Sequence, residues 1–290
     1  MSLRDALKSF VKRVAERIAP HAWIAIAAAR SRAHSHRLVR EWGLYDLNQR
    51  LIREMGSAVL GGPFLGLRLP PVAEAEHLGP FLLGTYESEL HEWWQRLLHQ
   101  EFSQMLDVGA KFGFYAVGYA IRFPSCPVVA FDPDPWARRA TREMAELNAT
   151  PNVRVEELCD PQWLRRHLLP NAFIVSDCEG YEAQLFGAGD SVDSGALSSA
   201  TLLIELHEVQ VPGVTAAIDK AFSASHSAAR VTSAPDHQHK MEAIGSISAA
   251  DATRLAREIR GPQEWILLRP VDPPADRRRP NTDRDTTTRR

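Results

Sequence analysis

The sequence predicts an α/β fold: a mostly parallel sheet with helices on both faces, preceded by a helical N-terminal extension. Three observations predict it. Met105–Gly118, MLDVGAKFGFYAVG, reads as strand, glycine turn and helix, because an apolar lead-in gives way to Gly109 and Gly113 and then to apolar residues at helical spacing. Short apolar runs then alternate with helix-like segments as far as residue 222. Each of those runs also closes on an acid or a histidine.

The glycine turn comes first because it selects the ligand. Gly109 permits a sharp turn, and Gly113 permits close approach of a helix or of a ligand to the backbone. A dinucleotide fingerprint needs G-x-G-x-x-G, whose bare N–H groups receive a pyrophosphate. Here Asp107 stands two places before Gly109 and would repel one, and no G-K-[ST] follows to make a P-loop. A carboxylate there favours a cation, and S-adenosylmethionine (SAM) carries an ammonium and a sulfonium. Val128–Phe131 forms the second strand and closes on Asp132, 25 residues after Asp107, where a nucleoside ribose offers two hydroxyls. Asp132-Pro133-Asp134-Pro135 also reads as a turn with a helix cap. Beside the glycine turn, the ribose reading is preferred.

The remaining elements follow in order. A helix is expected over Trp136–Asn148, and a third strand through Val153, Val155 and Leu158 closes on Asp160. Asp160 reads equally as an acceptor for the adenine amino group and as a cap before Pro161. A helix covers 163–168, a strand Phe173–Ser176 ends in Asp177, and a helix follows Gly180. The fifth strand, Thr201–His207, carries Glu205 and His207. A helix holds Val214, Ile218 and Phe222, and runs at 230–232 and 265–268 suit a closing antiparallel pair. Upstream, 36–60 and 90–102 read as helices, and Tyr86, Glu87, Glu89 and His91 crowd before the key strand. That block is either a helix start capped by Thr85 or a wall against the amino-acid end of SAM.

Composition bounds the rest. The chain has 290 residues and a net charge of −2, but residues 1–40 hold nine Lys/Arg against two acids, leaving the remainder at −9. Residues 3–18 form a basic amphipathic stripe, read either as a membrane-surface helix or, preferably, as one docked on its own domain or on a second subunit. A peripheral membrane contact or a homodimer through residues 1–40 follows from these readings; nucleic acid is not an expected partner. Cys126, Cys159 and Cys178 are scattered without C-x-x-C spacing, which fits a reducing, cytoplasmic setting. Ala22–Ala29 is too short to span a bilayer, and no secretory cleavage pattern is read. The expected divisions are a helical extension over 1–80, a main domain over 81–270 and a disordered tail over 271–290.

Ligands of parallel sheets bind beyond the carboxyl ends of the strands. Asp107, Asp132, Asp160, Asp177 with Glu179, and Glu205 with His207 all arrive at that rim, and so many carboxylates repel one another unless a cation joins them. Methyl transfer from a sulfonium needs alignment and water exclusion, and a hydroxyl acceptor also needs its proton removed. Two schemes stand. His207 or Asp177 acts as general base, or Asp177, Glu205 and His207, with His226 as a weaker candidate, hold Mg or Mn that acidifies the acceptor oxygen.

The blocks LDVGAKFGFYAVG, VVAFDPDP, IVSDCEGYEAQLF and LLIELHE together resemble the FkbM-type branch of class I SAM-dependent methyltransferases, over about residues 62–210. The resemblance implies a Rossmann-like sheet of about seven strands and methyl transfer, often to a hydroxyl of a small molecule or glycan. By position it places SAM contacts on Asp107, Gly109, Ala110, Lys111, Gly113, Asp132 and Pro133, with Asp177 and Glu179 near the methyl group. Lys111 departs from the family pattern, since relatives often carry Asn or an acid there.

Overall fold

A computed structural model describes residues 20–71, 78–187, 197–233, 239–258 and 260–271. The basic stripe at 3–18 and the tail beyond residue 271 lie outside them. Among the described residues no helix is long and apolar enough to cross a membrane.

Seven strands form one sheet: β1 (Met105–Val108), β2 (Val128–Phe131), β3 (Val153–Glu156), β4 (Phe173–Ser176), β5 (Thr201–Leu206), β6 (His226–Thr232) and β7 (Glu264–Pro270). Their order is β3-β2-β1-β4-β5-β7-β6. β1 to β5 run parallel, while β7 pairs antiparallel with both β5 and β6. The order reverses between β1 and β4, and the carboxyl ends at such a switch point are the usual place for a ligand in parallel sheets.

Strand side chains alternate, and both faces are apolar. Met105, Ala130, Val175, Leu203 and Trp265 pack on one face. Leu106, Val129, Ile174, Ile204 and Ile266 pack on the other. The first face also buries Leu51, Val59, Phe64, Leu67 and Leu69, so residues 44–71 share the core of the sheet. It is covered further by α5 (Phe114–Arg122) and α6 (Pro135–Leu147). The second face is covered by α7 (Pro161–His167), α8 (Glu182–Phe186) and α9 (Val214–Phe222).

The N-terminal part differs from the expected single helix over 36–60. Helix α1 (Pro20–Glu41) stops at Trp42, and α2 (Leu44–Met55) starts anew, because Gly43 adopts φ +66°. The Ala22–Ala29 run lies within α1. The expected 90–102 helix is shorter, a 3-10 turn (Ser88–Leu90) followed by α4 (His91–Leu97). Between them and α2 lies α3 (Gly79–Leu83), and α10 (Ala249–Leu255) follows β6. Strand β3 ends before Leu158, which is 40% exposed and has no strand partner to bury it.

Two glycines fix the turn after β1. Gly109 has φ +90°, and a Cβ there would stand 1.8 Å from the Asp177 carbonyl oxygen. Gly113 has φ +82°, and a Cβ would stand 2.7 Å from Thr141 of α6. A close strand–strand approach and a close helix–helix approach thus both depend on a missing side chain. Gly109→Ala combines left-handed strain with a backbone clash and is expected to cost about 3 kcal/mol or more. A urea melt checks this; a loss under about 0.5 kcal/mol would show that the turn relaxes freely.

Candidate functional site

Asp107 lies within β1, and Asp132, Asp177 and His207 stand one residue past the ends of β2, β4 and β5, with Glu205 inside β5. All five share the parity of Met105, Ala130, Val175 and Leu203, so alternation carries them to one face of one edge.

The glycine turn is internally bonded. Gly109 and Ala110 both donate their N–H groups to Phe131 O at 2.9 Å, and Gly113 donates to Ala110 O at 2.6 Å. Lys111 donates its N–H to Asp132 Oδ2 at 2.9 Å. Four of the five amides from 109 to 113 therefore have acceptors within the protein. A pyrophosphate nest needs those amides unpaired.

Asp107 is 3% exposed, and its Oδ2 accepts from Ala116 N at 3.0 Å in the first turn of α5. It works as a remote cap that ties the helix to β1. Burial, and secondarily Asp177 and Asp132, push its carboxyl up to about 7 against the Ala116 bond.

The Asp132-Pro133-Asp134-Pro135 run divides its labour. Asp134 is the N-cap of α6, its Oδ1 accepting from Trp136 N at 3.0 Å with Pro135 in the first turn. Asp132 is thereby left to hold the turn, accepting from Lys111 N through Oδ2 and from Asp134 N through Oδ1 at 2.8 Å. These two bonds fix its plane and leave each oxygen a further lone pair. Burial pushes Asp132 up to about 6, although the Lys111 amide, Arg138 and Arg32 pull the other way. Arg32 of α1 pairs with Asp134 and lies 4.5 Å over the Trp136 ring, so the extension is anchored beside Asp132. The sequence offered Arg32 only as one more basic residue of the arm.

Lys111 has φ +51°, and its ammonium lies 6.0 Å from the Phe112 ring centre. It is exposed and near enough to Glu179 to favour that carboxylate. Asp160 is the N-cap of α7, with Trp163 N donating to its Oδ1 at 2.6 Å. His226 is a correction. It lies at the start of β6, paired opposite Pro270, and its Nε2 meets Ala200 O at 2.8 Å, before the amino end of β5. Antiparallel to β7, which is antiparallel to β5, β6 runs in the same direction as β5, so its first residue lies at the opposite end of the sheet from the acids.

The upstream block does reach the rim. Glu87 is 1% exposed at φ +46°, receives the Tyr115 hydroxyl hydrogen bond, and donates its own N–H to Glu258 at 2.9 Å. Arg260 pairs with Glu89 at 2.7 Å and with Glu258. Burial still pushes Glu87 up to about 8, with Arg260 opposing and Asp177 assisting. Glu87 Oε1 has no hydrogen-bond partner among the described residues. Tyr86 stacks on Phe81 at 3.9 Å and accepts at its carbonyl from His91.

The densest group surrounds His207. Its Nε2 is 3.4 Å from Asp177 Oδ1, 3.7 Å from Glu205 Oε1 and 3.7 Å from Glu179 Oε2. Its Nδ1 lies 3.0 Å from Glu182 Oε1, off the hydrogen-bond axis. Glu182 is fully buried and also accepts from Cys178 N at 2.9 Å, which closes the loop carrying Asp177 and Glu179. In that loop Glu179 has φ +56° and Gly180 φ +101°. Glu182 carried no role of its own in the sequence; it stood only in the block IVSDCEGYEAQLF, before the helix expected after Gly180. Burial opposes the imidazolium, but Asp177, Glu182 and Glu205 outweigh it and push His207 up to about 11. Burial, then the charges of Asp177 and Glu87, push Glu205 up to about 10.

No family model and no curated protein sequence matches the chain. Among solved structures it is similar to a putative O-methyltransferase from Klebsiella pneumoniae, with 12% identity over 81% of this chain and 100% of that one and a TM-score of 0.47. It is also similar to an O-methyltransferase from Bacillus cereus in complex with SAH, with 14% identity, 61% and 78% coverage and a TM-score of 0.41. A precorrin-6y C5,15-methyltransferase from Geobacter metallireducens GS-15 gives 16%, 61%, 86% and 0.40. At scores this low the likenesses carry no argument about activity, and the fold rests on the strand order itself.

Asp107 gives a pH test of the buried edge. Its carboxyl sits near 7 when folded against 3.8 as the reference, so the folded state holds a proton that the unfolded chain has released. Its contribution is present below pH 4 and is lost as pH rises through 7, by up to about 1.4 kcal/mol per pH unit. Asp107→Asn, which keeps an acceptor for Ala116, should flatten the stability profile between pH 4 and 7 in chemical denaturation. An unchanged slope would mean that Asp107 ionises freely in the folded protein.

Proposed function

We propose that the chain is a SAM-dependent methyltransferase of the FkbM type, acting on a hydroxyl of a small molecule or glycan, with transfer to nitrogen as the close variant. The observation that carries this reading is the bonding of the glycine turn. Its amides are occupied internally and the groups facing the crevice are carboxylates, a combination that suits a cationic nucleoside and opposes a pyrophosphate.

The residues fit that ligand group by group. Asp132, with its plane held by two amides, has lone pairs for a ribose diol. Glu87, with one buried oxygen unpartnered among the described residues, suits the ammonium of the amino-acid end, beside Tyr86. Gly109, Ala110 and Lys111 supply the turn on which the ligand would lie, with Gly113 and Pro133 shaping its two sides. Asp160 caps its helix through Oδ1, which leaves Oδ2 for the adenine amino group. SAM supplies a methyl group on a sulfonium, open to in-line attack. Asp177, Glu179 and His207 stand where an acceptor would be held and its proton drawn away. Two ways of taking that proton suit the cluster, and they differ in what occupies His207 Nε2: a proton held there by the surrounding acids, with Asp177 as the base, or a cation.

Calorimetry should find SAM binding and no NAD binding; the reverse would overturn the reading. Asp132→Ala should weaken SAM by about tenfold or more, one charge-assisted contact, and should also lower the urea midpoint, because the Lys111 and Asp134 amides lose their acceptor. Because Asp107 and Asp132 sit near 7 and 6 without ligand, protons compete with the cationic ligand. SAM affinity should therefore rise from pH 5.5 to 8 and then level off, and a flat profile would count against carboxylate contacts. Turnover to S-adenosylhomocysteine, lost in Asp177→Ala with the fold intact, separates an enzyme from a non-catalytic SAM-binding module.

A further inference from the structure

We infer that Asp177, Glu205 and His207 form a divalent-cation site at the carboxyl ends of β4 and β5, with Glu182 as the residue that orients His207. One ligand atom from each of the three lies within 4.8 Å of the other two. His207 Nε2 stands 3.4 Å from Asp177 Oδ1 and 3.7 Å from Glu205 Oε1. Cis ligands of an octahedral ion bound at about 2.1 Å lie about 3.0 Å apart, and trans ligands about 4.2 Å. The three atoms thus need to move by less than about 1 Å to share one ion.

Two further observations point to a ligand rather than to a closed ion-pair network. Glu205 is 3% exposed, yet its Oε2 has no hydrogen-bond partner among the described residues. A buried carboxylate oxygen left in this way is costly unless something positive meets it. Glu182, fully buried, lies 3.0 Å from Nδ1, off the hydrogen-bond axis; a small turn of the ring would make the Nδ1–H bond that metal-bound histidines donate to a carboxylate, with Nε2 left for the cluster. Glu182 is itself pinned by Cys178 N, so its carboxylate cannot swing away to join the ion.

Two carboxylates and one imidazole suit Mn or Mg, and the nitrogen donor favours Mn of the two. Glu205 and His207 are buried, whereas the Asp177 side chain is 34% exposed and that of Glu179 82%. The unfilled coordination positions therefore open on the Asp177–Glu179 side. Under the methyl-transfer reading, on which this last step rests, an acceptor oxygen would bind there and lose its proton more readily. The cation site itself stands without that reading.

The test is titration of the chelator-stripped full chain with Mn2+ in the absence of SAM, followed by loss of the free-ion EPR signal. One Mn2+ per chain is expected. Glu205→Gln and Asp177→Asn should each weaken it at least tenfold, and Glu182→Gln by about tenfold through loss of orientation. Asp177, half-exposed, keeps the test decisive if Glu205→Gln does not fold. Free Mn2+ persisting at a tenfold protein excess overturns the inference, as does wild-type affinity in both ligand variants. SAM calorimetry with chelator present is scored separately. SAM binding without Mn2+ binding refutes the cation site alone, and Mn2+ binding without SAM binding refutes the methyl-transfer reading alone.

Discussion

Buried negative charge is the constraint around which the carboxyl edge is built. Asp177, Glu179, Glu182 and Glu205 surround a single imidazole, and Asp107 and Glu87 are buried nearby. Carboxylates held out of water repel one another and lose hydration, so such a group persists only with protons or cations among its members. The raised carboxyls of Asp107, Asp132, Glu87 and Glu205 answer to that cost. A cation among them would replace those protons with charge fixed in place.

The backbone near this edge is arranged to leave the acids facing the crevice. Gly109 lets β1 pass against the Asp177 carbonyl, which brings the glycine turn and the Asp177–Glu182 loop into contact. Asp134 takes over the capping of α6, so Asp132 can hold the turn without also closing a helix. Glu182 ties down Cys178 and stands 3.0 Å from His207 Nδ1 at once. The last two of these choices use an acid as a scaffold, so that Asp132 and the loop bearing Asp177 are left at the rim.

The N-terminal extension contributes more than a charged arm. Arg32 reaches Asp134 and Trp136, and Leu51, Phe64 and Leu67 enter the core on the same sheet face that carries the acids. Arg260, from the far end of the chain, gathers Glu89 and Glu258 beneath Glu87. The crevice is thus walled by segments before and after the first five strands, as well as by the strands themselves.

The sequence by itself determined the strand–turn–helix at Asp107–Gly113, the succession of apolar strands, and the acids that close them, because alternation, glycine and helix periodicity are local properties. It also determined that Asp177, Glu205 and His207 belong together, since parallel strands deliver their ends to one edge. It did not determine that Gly43 splits a helix, that Asp160 caps one, or that His226 sits at the opposite end of the sheet; β6 runs in the same direction as β5, so its first residue falls at the amino edge. Glu182 and Arg32 acquired roles only in three dimensions. Their partners lie 25 and 102 residues away, and no local pattern encodes a contact made by the packing of a loop or an extension onto the sheet.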